Sequence, residues 1–256
     1  MVYHFKNISI YYEIQGEGPA VVLLHGFLES STMWQPLLPF LSETKTVISI
    51  DFPGHGQSGV IAETHSMELM AEVVNEILLQ LQIKSATFVG HSMGGYVALA
   101  YTELFSGKVD ALYLLNSNPL ADSVEKKNNR NRALKVIDQN PNAYISMAIS
   151  NLIAETSRKN FSEEIEGLKN EAYTFPVDGI KAAIKGMRDR KNRTAVLKNF
   201  QRKKHVILAE EDPILPFREA KTLAENYGAA VKIIEGGHMS LIENRKAVTN
   251  YLLLTL

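Results

Sequence analysis

One serine, one histidine and one aspartate stand in surroundings that suit nucleophilic chemistry. The serine is Ser92, in the stretch Thr87-Phe88-Val89-Gly90-His91-Ser92-Met93-Gly94-Gly95. A β-branched and aromatic run enters the stretch, and the apolar, helix-forming run Tyr96-Val97-Ala98-Leu99-Ala100 leaves it. A serine at such a strand-to-helix bend has its hydroxyl pushed outward. Gly90 and Gly94 lack a Cβ, so strand and helix backbones can approach closely beside the strained central residue. The Met93 amide then lies at a helix N-terminus, where an unpaired donor and the positive end of the helix dipole can meet a developing oxyanion.

A serine hydroxyl at its ordinary pKa is a poor nucleophile; it needs a base, and the base needs an orienting group. Of seven histidines, His4 and His65 fall in segments that read as surface, and His205 begins a strand. His25 and His55 lie in glycine-containing loops after strands and can approach the site. His91 is next to Ser92, but neighbours around a tight bend point apart. His238, in the loop Gly236-Gly237-His238-Met239 between the last strand and the last helix, is the best base. In a parallel sheet the loops that follow the strands gather at one edge. For the orienting acid, the loop after His205–Ala209 offers Glu210, Glu211 and Asp212. Asp212 opens the stiff turn Asp212-Pro213-Ile214-Leu215-Pro216, which fixes a short carboxylate in place; Glu211 is the fallback.

The elements that must position these groups follow from hydrophobic pattern. Tyr3 to Gln15 alternates like a strand or hairpin, and Gly16-Glu17-Gly18-Pro19 ends it. Residues 20–24 form a continuous apolar run, the mark of a strand buried on both faces of a parallel sheet, and 46–50 read as the next such strand; 111–115, 205–209 and 231–234 read as further strands. Ser30 or Ser31 caps a helix carrying Met33, Trp34, Leu37 and Leu38; Ser66 to Leu81, Phe217 to Tyr227 and Ser240 to Leu254 read as further helices. From about Pro119 to Lys204 the strand runs stop and helical patterns broken by Asn-Pro, Phe-Pro and Gly take over. The expected class is α/β: a mostly parallel sheet of about eight strands, helices on both faces, and a helical insertion.

Composition narrows the function. With 256 residues, 45% of them apolar, the chain can bury one large core. A net charge of −1 gives no global reason to expect nucleic acid or an anionic membrane as partner. The absence of cysteine excludes disulfides, thiolate metal sites and a cysteine nucleophile, and fits a reducing compartment. No signal-peptide pattern opens the chain, and apolar runs such as Val21 to Leu24 and Leu252 to Leu254 are too short for a membrane span, so a cytoplasmic protein is expected. Charge is unevenly divided: residues 119–204 hold 18 Lys and Arg against 10 Asp and Glu, whereas the remainder holds 9 against 18. A solvated helical surface accounts for this; a sharper reading is a basic cap that attracts an anionic substrate or an acidic acyl carrier.

Four segments in this order resemble the α/β-hydrolase family, in its small, capped, esterase-like form, over nearly the whole chain. They are His25-Gly26-Phe27 with Trp34 downstream; Asp51-Phe52-Pro53-Gly54-His55-Gly56-Gln57-Ser58; Gly90-His91-Ser92-Met93-Gly94-Gly95; and Asp212-Pro213-Ile214-Leu215-Pro216 with Gly236-Gly237-His238. The resemblance implies Ser92 as nucleophile, His238 as base and Asp212 as its partner, with the Phe27 and Met93 N–H groups as an oxyanion hole. It makes residues 119–204 a cap on a core formed by 1–118 and 205–256. His25, Trp34 and Met239 are candidates for the pocket wall, although Trp34 and the methionines read first as packing; Asp51 and His55 read as scaffold. Ala209-Glu210 departs from the glycine that many relatives have before the acidic turn. The implied chemistry is cofactor-free and metal-free hydrolysis of a carboxylic ester or related acyl compound. Carbon–carbon hydrolases, enol-lactonases and menaquinone-pathway lyases share the triad. Small-molecule receptors of this fold follow Gly-His-Ser with Val-Ser, where this chain has Met93-Gly94-Gly95.

Overall fold

Continuous apolar runs become the middle of the sheet. The computed structural model describes residues 1–256. Its strands are β1 (Val2–Phe5), β2 (Ile8–Gln15), β3 (Ala20–Leu24), β4 (Thr46–Ile50), β5 (Ala86–His91), β6 (Val109–Leu115), β7 (Lys203–Ala209) and β8 (Ala230–Ile234). They form one sheet in the order β1-β2-β4-β3-β5-β6-β7-β8. β1 and β2 pair antiparallel across a turn in which Lys6 and Asn7 have φ of 48° and 67°, the left-handed pair that matches hairpin twist. β2 and β4 are also antiparallel, and all other neighbours are parallel.

Strand alternation divides the core into two layers. Val21, Leu23, Val47, Val89, Tyr113 and Ile207 pack in one cluster; Val22, Leu24, Ile48, Phe88, Leu112 and Val206 pack in the other. Strands β3 to β7 therefore each bury both faces, which is why their sequences are runs instead of alternations. The helices are α1 (Leu38–Leu41), α2 (Met67–Gln80), α3 (Met93–Leu104), α4 (Val124–Gln139), α5 (Pro141–Ser150), α6 (Ser162–Ala172) and α7 (Val177–Arg188). They continue with α8 (Thr194–Asn199), α9 (Phe217–Asn226), α10 (Ser240–Glu243) and α11 (Arg245–Thr255). Caps start several of them: the Ser66, Ser123 and Asn140 side chains accept from the amides of Leu69, Lys126 and Ala143.

The chain runs from β3 to β4 on one side and then to β5 on the other, so the order reverses at β3. Loops leaving β3 and β5 lie at that reversal, the position where such sheets bind ligands. Five helices, α4 to α8, lie between β6 and β7. The two ends of this insertion meet: the Arg193 amide donates to Pro119 O at 2.7 Å. The buried Arg193 guanidinium bonds Glu68 on α2 at 2.6 Å and Glu103 on α3 at 3.0 Å. Charge-assisted bonds to both core helices fix the stem.

Three expectations change. The helix expected after Ser30 is a 3₁₀ turn, Ser31–Trp34, followed by the short α1, because Pro36 and Pro39 supply no amide hydrogen and interrupt the ladder. The last helix divides at Asn244, whose φ of −144° and ψ of 49° leave the helical region. His65 is buried, not on the surface: its Nε2 accepts the Ile61 amide at 3.2 Å.

Trp34 is likewise not on a pocket wall. Its side chain is fully buried in the cluster with Val21, Leu23 and Leu252, because the Ser31–Trp34 turn folds it against the sheet. Trp34→Ala should therefore cost about 3–5 kcal/mol of stability through the cavity it leaves. Urea unfolding checks the loss, and the KM of the folded fraction should not change.

Candidate active site

The bend between β5 and α3 is strained where the sequence predicts it. Ser92 has φ of 49° and ψ of −112°. The geometry demands small neighbours: a Cβ on Gly90 would lie 2.5 Å from the Gly94 backbone, and one on Gly94 would collide with Leu24 O. Such a backbone costs on the order of 1–3 kcal/mol and persists only where surroundings enforce it. Here the Ser92 amide donates to Leu115 O at 2.9 Å, and Ser117 Oγ donates to Ser92 O at 2.7 Å.

Ser92, His238 and Asp212 come together in one line. Ser92 Oγ lies 2.8 Å from His238 Nε2, and His238 Nδ1 lies 2.7 Å from Asp212 Oδ2. A carboxylate accepts only, so Nδ1 carries the proton and leaves Nε2 free to accept from the serine hydroxyl. The Asp212 carboxylate is almost fully buried. Its Oδ1 accepts the Ile214 and Leu215 amides at 2.8 and 2.9 Å, and its Oδ2 also accepts Asn116 Nδ2 at 3.0 Å. Burial alone would raise this carboxyl, but the His238 ring and the two amides hold it below its ordinary value. Glu211, the fallback, is exposed and accepts Thr156 Oγ1 instead.

Two amides of the candidate site have no acceptor. Met93 is the first residue of α3, and neither its N–H nor that of Phe27 donates to any acceptor in the chain. The other candidate wall residues do different work. His25 is fully buried; Phe52 N–H donates to its Nε2 at 2.8 Å, so its Nδ1 donates to Gly26 O at 2.7 Å. It pins the Gly26-Phe27 loop. Met239 follows His238 and is buried in the larger core cluster. Asp51 holds the amides of Ser31 and Gln57 at 2.7 and 2.8 Å, which makes it a loop scaffold as expected. His55, also buried, stands 5.6 Å from Phe175 of the insertion and 5.9 Å from Phe27.

Several residues around the site carry no sequence signal. Asn116 sits at φ of 47°, and its side chain joins Asp212 to Ser240, whose Oγ donates to Asn116 Oδ1 at 2.6 Å. The insertion also reaches the His238 loop: His238 N–H donates to Leu152 O at 3.0 Å, and Glu243 accepts Ala154 N–H and Ser157 Oγ. On the opposite loop Glu171 accepts Ser30 Oγ at 2.6 Å. Only folding brings these positions within reach. No group of three or more His, Asp or Glu side chains is arranged to hold a metal ion, and no helix is long and apolar enough to cross a membrane.

A family model for the alpha/beta hydrolase fold matches residues 19–245. The chain belongs to that family. Among solved structures, this alpha/beta hydrolase is similar to a thermophilic esterase from Thermogutta terrifontis, at 29% identity, with 96% of this chain and 92% of that chain covered and a TM-score of 0.90. It shares its fold with the enol-lactonase from Burkholderia xenovorans LB400, at 21% identity, full coverage of both chains and a TM-score of 0.91. The pimeloyl-[acyl-carrier protein] methyl ester esterase of Methylococcus capsulatus is 36% identical over 112 residues, 44% of this chain and 42% of that protein. Other curated relatives at 36% identity align over 36% of their own length.

Because the folded-state Asp212 value is depressed, its contribution to stability is present above the ordinary aspartate value of about 3.9 and is lost as pH falls through the lower folded value. Asp212→Asn should remove that part of the acid limb. Urea midpoints between about pH 2 and 6 should then fall less steeply in the variant than in the wild type.

Proposed function

We propose that the chain is a serine hydrolase that cleaves a carboxylic ester or related acyl bond through an acyl-enzyme. The observation that carries this reading is the continuous contact Ser92 Oγ–His238–Asp212 at 2.8 and 2.7 Å beside two unpaired amides. Ser92 Oγ attacks the substrate carbonyl while His238 Nε2 accepts its proton. Phe27 and Met93 N–H donate to the oxygen that becomes negative, each worth about 3–4 kcal/mol in the transition state. Asp212 stabilises the imidazolium. His238 returns the proton to the leaving alcohol, and the acyl group stays on Ser92. Water then attacks the acyl-enzyme with His238 as base, which releases the acid and restores the serine.

Family membership and the likeness to an esterase support ester substrates. An enol-lactone is also an ester, so lactone opening needs no new group. A panel of acetyl to dodecanoyl esters, run on wild type and Ser92→Ala, tests the reading. Wild type should turn over at least one ester, and Ser92→Ala should lose at least about 10³-fold in kcat. Equal rates, or no turnover by wild type, would sink it.

A carrier-bound substrate is favoured by one further observation, the surplus of eight basic side chains in residues 119–204. An acidic acyl carrier would be steered to that surface. If so, kcat/KM on a carrier-bound methyl ester should exceed that on the free ester and should fall as salt rises from 50 to about 500 mM. Equal values with no salt effect refute the carrier.

A further inference from the structure

One buried ion pair lies under the reacting groups and takes no part in the proton transfers. His91 and Glu29 are both about 1% exposed, and His91 Nδ1 lies 2.9 Å from Glu29 Oε2. The other ring nitrogen, Nε2, lies 2.9 Å from the carbonyl oxygen of His238. A carbonyl only accepts, so Nε2 must carry a proton. Glu29 Oε2 meanwhile accepts the Gly26 amide at 2.7 Å. With acceptors at both ring nitrogens, the arrangement fits an imidazolium paired with a carboxylate. Burial would push His91 down and Glu29 up, but each partner reverses the effect on the other, so His91 is held above and Glu29 below its ordinary value.

The contacts of this pair join the three loops of the candidate site. His91 precedes Ser92 at the bend. Through Nε2 it grips the peptide of His238, whose ring centroid is 5.2 Å from its own. Through Glu29 it grips the amide of Gly26, one residue before Phe27. The fit is close: a Cβ on Gly26 would lie 2.7 Å from the Glu29 carboxylate and 2.8 Å from His91 Nδ1. The His238 peptide is thus held on both sides, by His91 at its carbonyl and by Leu152 of the insertion at its amide.

We propose that His91 and Glu29 are positioning residues that set the base His238 and the Phe27 donor relative to Ser92 through the His238 carbonyl and the Gly26 amide. The proposal rests on the hydrolase reading above for the roles of those groups. An apolar pair of similar volume would serve stability equally well or better, since charges out of water cost more than a good pair repays unless every bond is made. Here the bonds that the pair makes beyond itself end on the backbone of the His238 and Gly26 loops.

The two tethers can be separated by substitution. In His91→Asn the amide occupies the place of ring Nδ1, so it reaches Glu29 and leaves the His238 carbonyl unpaired. In His91→Gln the longer side chain places its donor where Nε2 lies and keeps that carbonyl. On an ester that wild type turns over, kcat of His91→Asn should fall about 100-fold with KM changed less than about threefold, as expected for a base misplaced by about an ångström. His91→Gln should recover at least tenfold of that loss. Equal effects of the two substitutions, or a loss that simply follows melting temperature, overturn the proposal. If His91→Asn does not fold, the apolar pair His91→Leu with Glu29→Leu replaces it; wild-type kcat in that variant overturns the proposal. The low-field proton NMR signal of His238 Nδ1–H gives a readout that needs no substrate. It should shift in His91→Asn, or in the Leu pair in its place, and stay in His91→Gln; an unchanged signal in every variant overturns the proposal. A wild type inert toward every ester would defeat the hydrolase reading alone, because the His238 signal would still decide this one.

Discussion

The left-handed backbone of Ser92 is the constraint on which the site depends. A bend with φ of 49° turns β5 into α3 without an intervening loop and leaves the side chain standing at the sheet edge. The strain, on the order of 1–3 kcal/mol, is comparable to the net worth of the two hydrogen bonds that Leu115 O and Ser117 Oγ make to it, about 1 kcal/mol each. The parallel pairing of β5 with β6 supplies both partners. The same bend opens an amide at the start of α3 and presses Gly94 against the end of β3, which is where the loop carrying Phe27 begins. The positions of Ser92, the Phe27 loop and the helix terminus are one geometric fact.

Electrostatics then organise the edge around that bend. Asp212 is buried but accepts four hydrogen bonds, so it remains an anion and fixes the tautomer of His238. His91 and Glu29 form a second buried charged unit on the other side of the His238 backbone. His25 and His55 are buried without a charged partner in contact, and burial drives both toward the neutral form. Four histidines within one edge thus divide by environment: one exchanges protons in the proposed reaction, one is paired with a buried carboxylate that pushes it toward the charged form, and two are driven toward the neutral form by burial.

The helical insertion is tied to the core at both ends and over the site. Arg193 joins its stem to α2 and α3, and Arg190 stacks its guanidinium 4.0 Å from the Tyr96 ring centroid while bonding Asp122 at 2.6 Å. Leu152, Ala154 and Ser157 reach the loops that carry His238 and Glu243, and Glu171 reaches Ser30 beside the Phe27 loop. Basic residues of the insertion thus divide into two kinds. Arg190 and Arg193 are buried structural pairs, whereas Lys126, Lys127 and Lys135 of α4 remain on the surface, where a surplus charge can act on a partner.

The parallel sheet was legible in the sequence because strands buried on both faces must be apolar throughout, and the bend at Ser92 was legible because it is flanked by glycines. Asp212 stood out among three acids because a proline turn restricts it. Boundaries failed where local rules compete: prolines broke the first helix, and Asn244 divided the last. The sequence assigned Ser92, His238 and Asp212 to loops that share one edge, but only the tertiary structure brought them to 2.8 and 2.7 Å. It also took Trp34 off the candidate pocket wall, gave His25 to the loop it pins, and revealed Asn116, Glu29 and Glu243. Those roles depend on contacts between residues dozens of positions apart, and no periodicity or spacing records such a contact. Residue type decided what chemistry was available; packing decided which atoms meet.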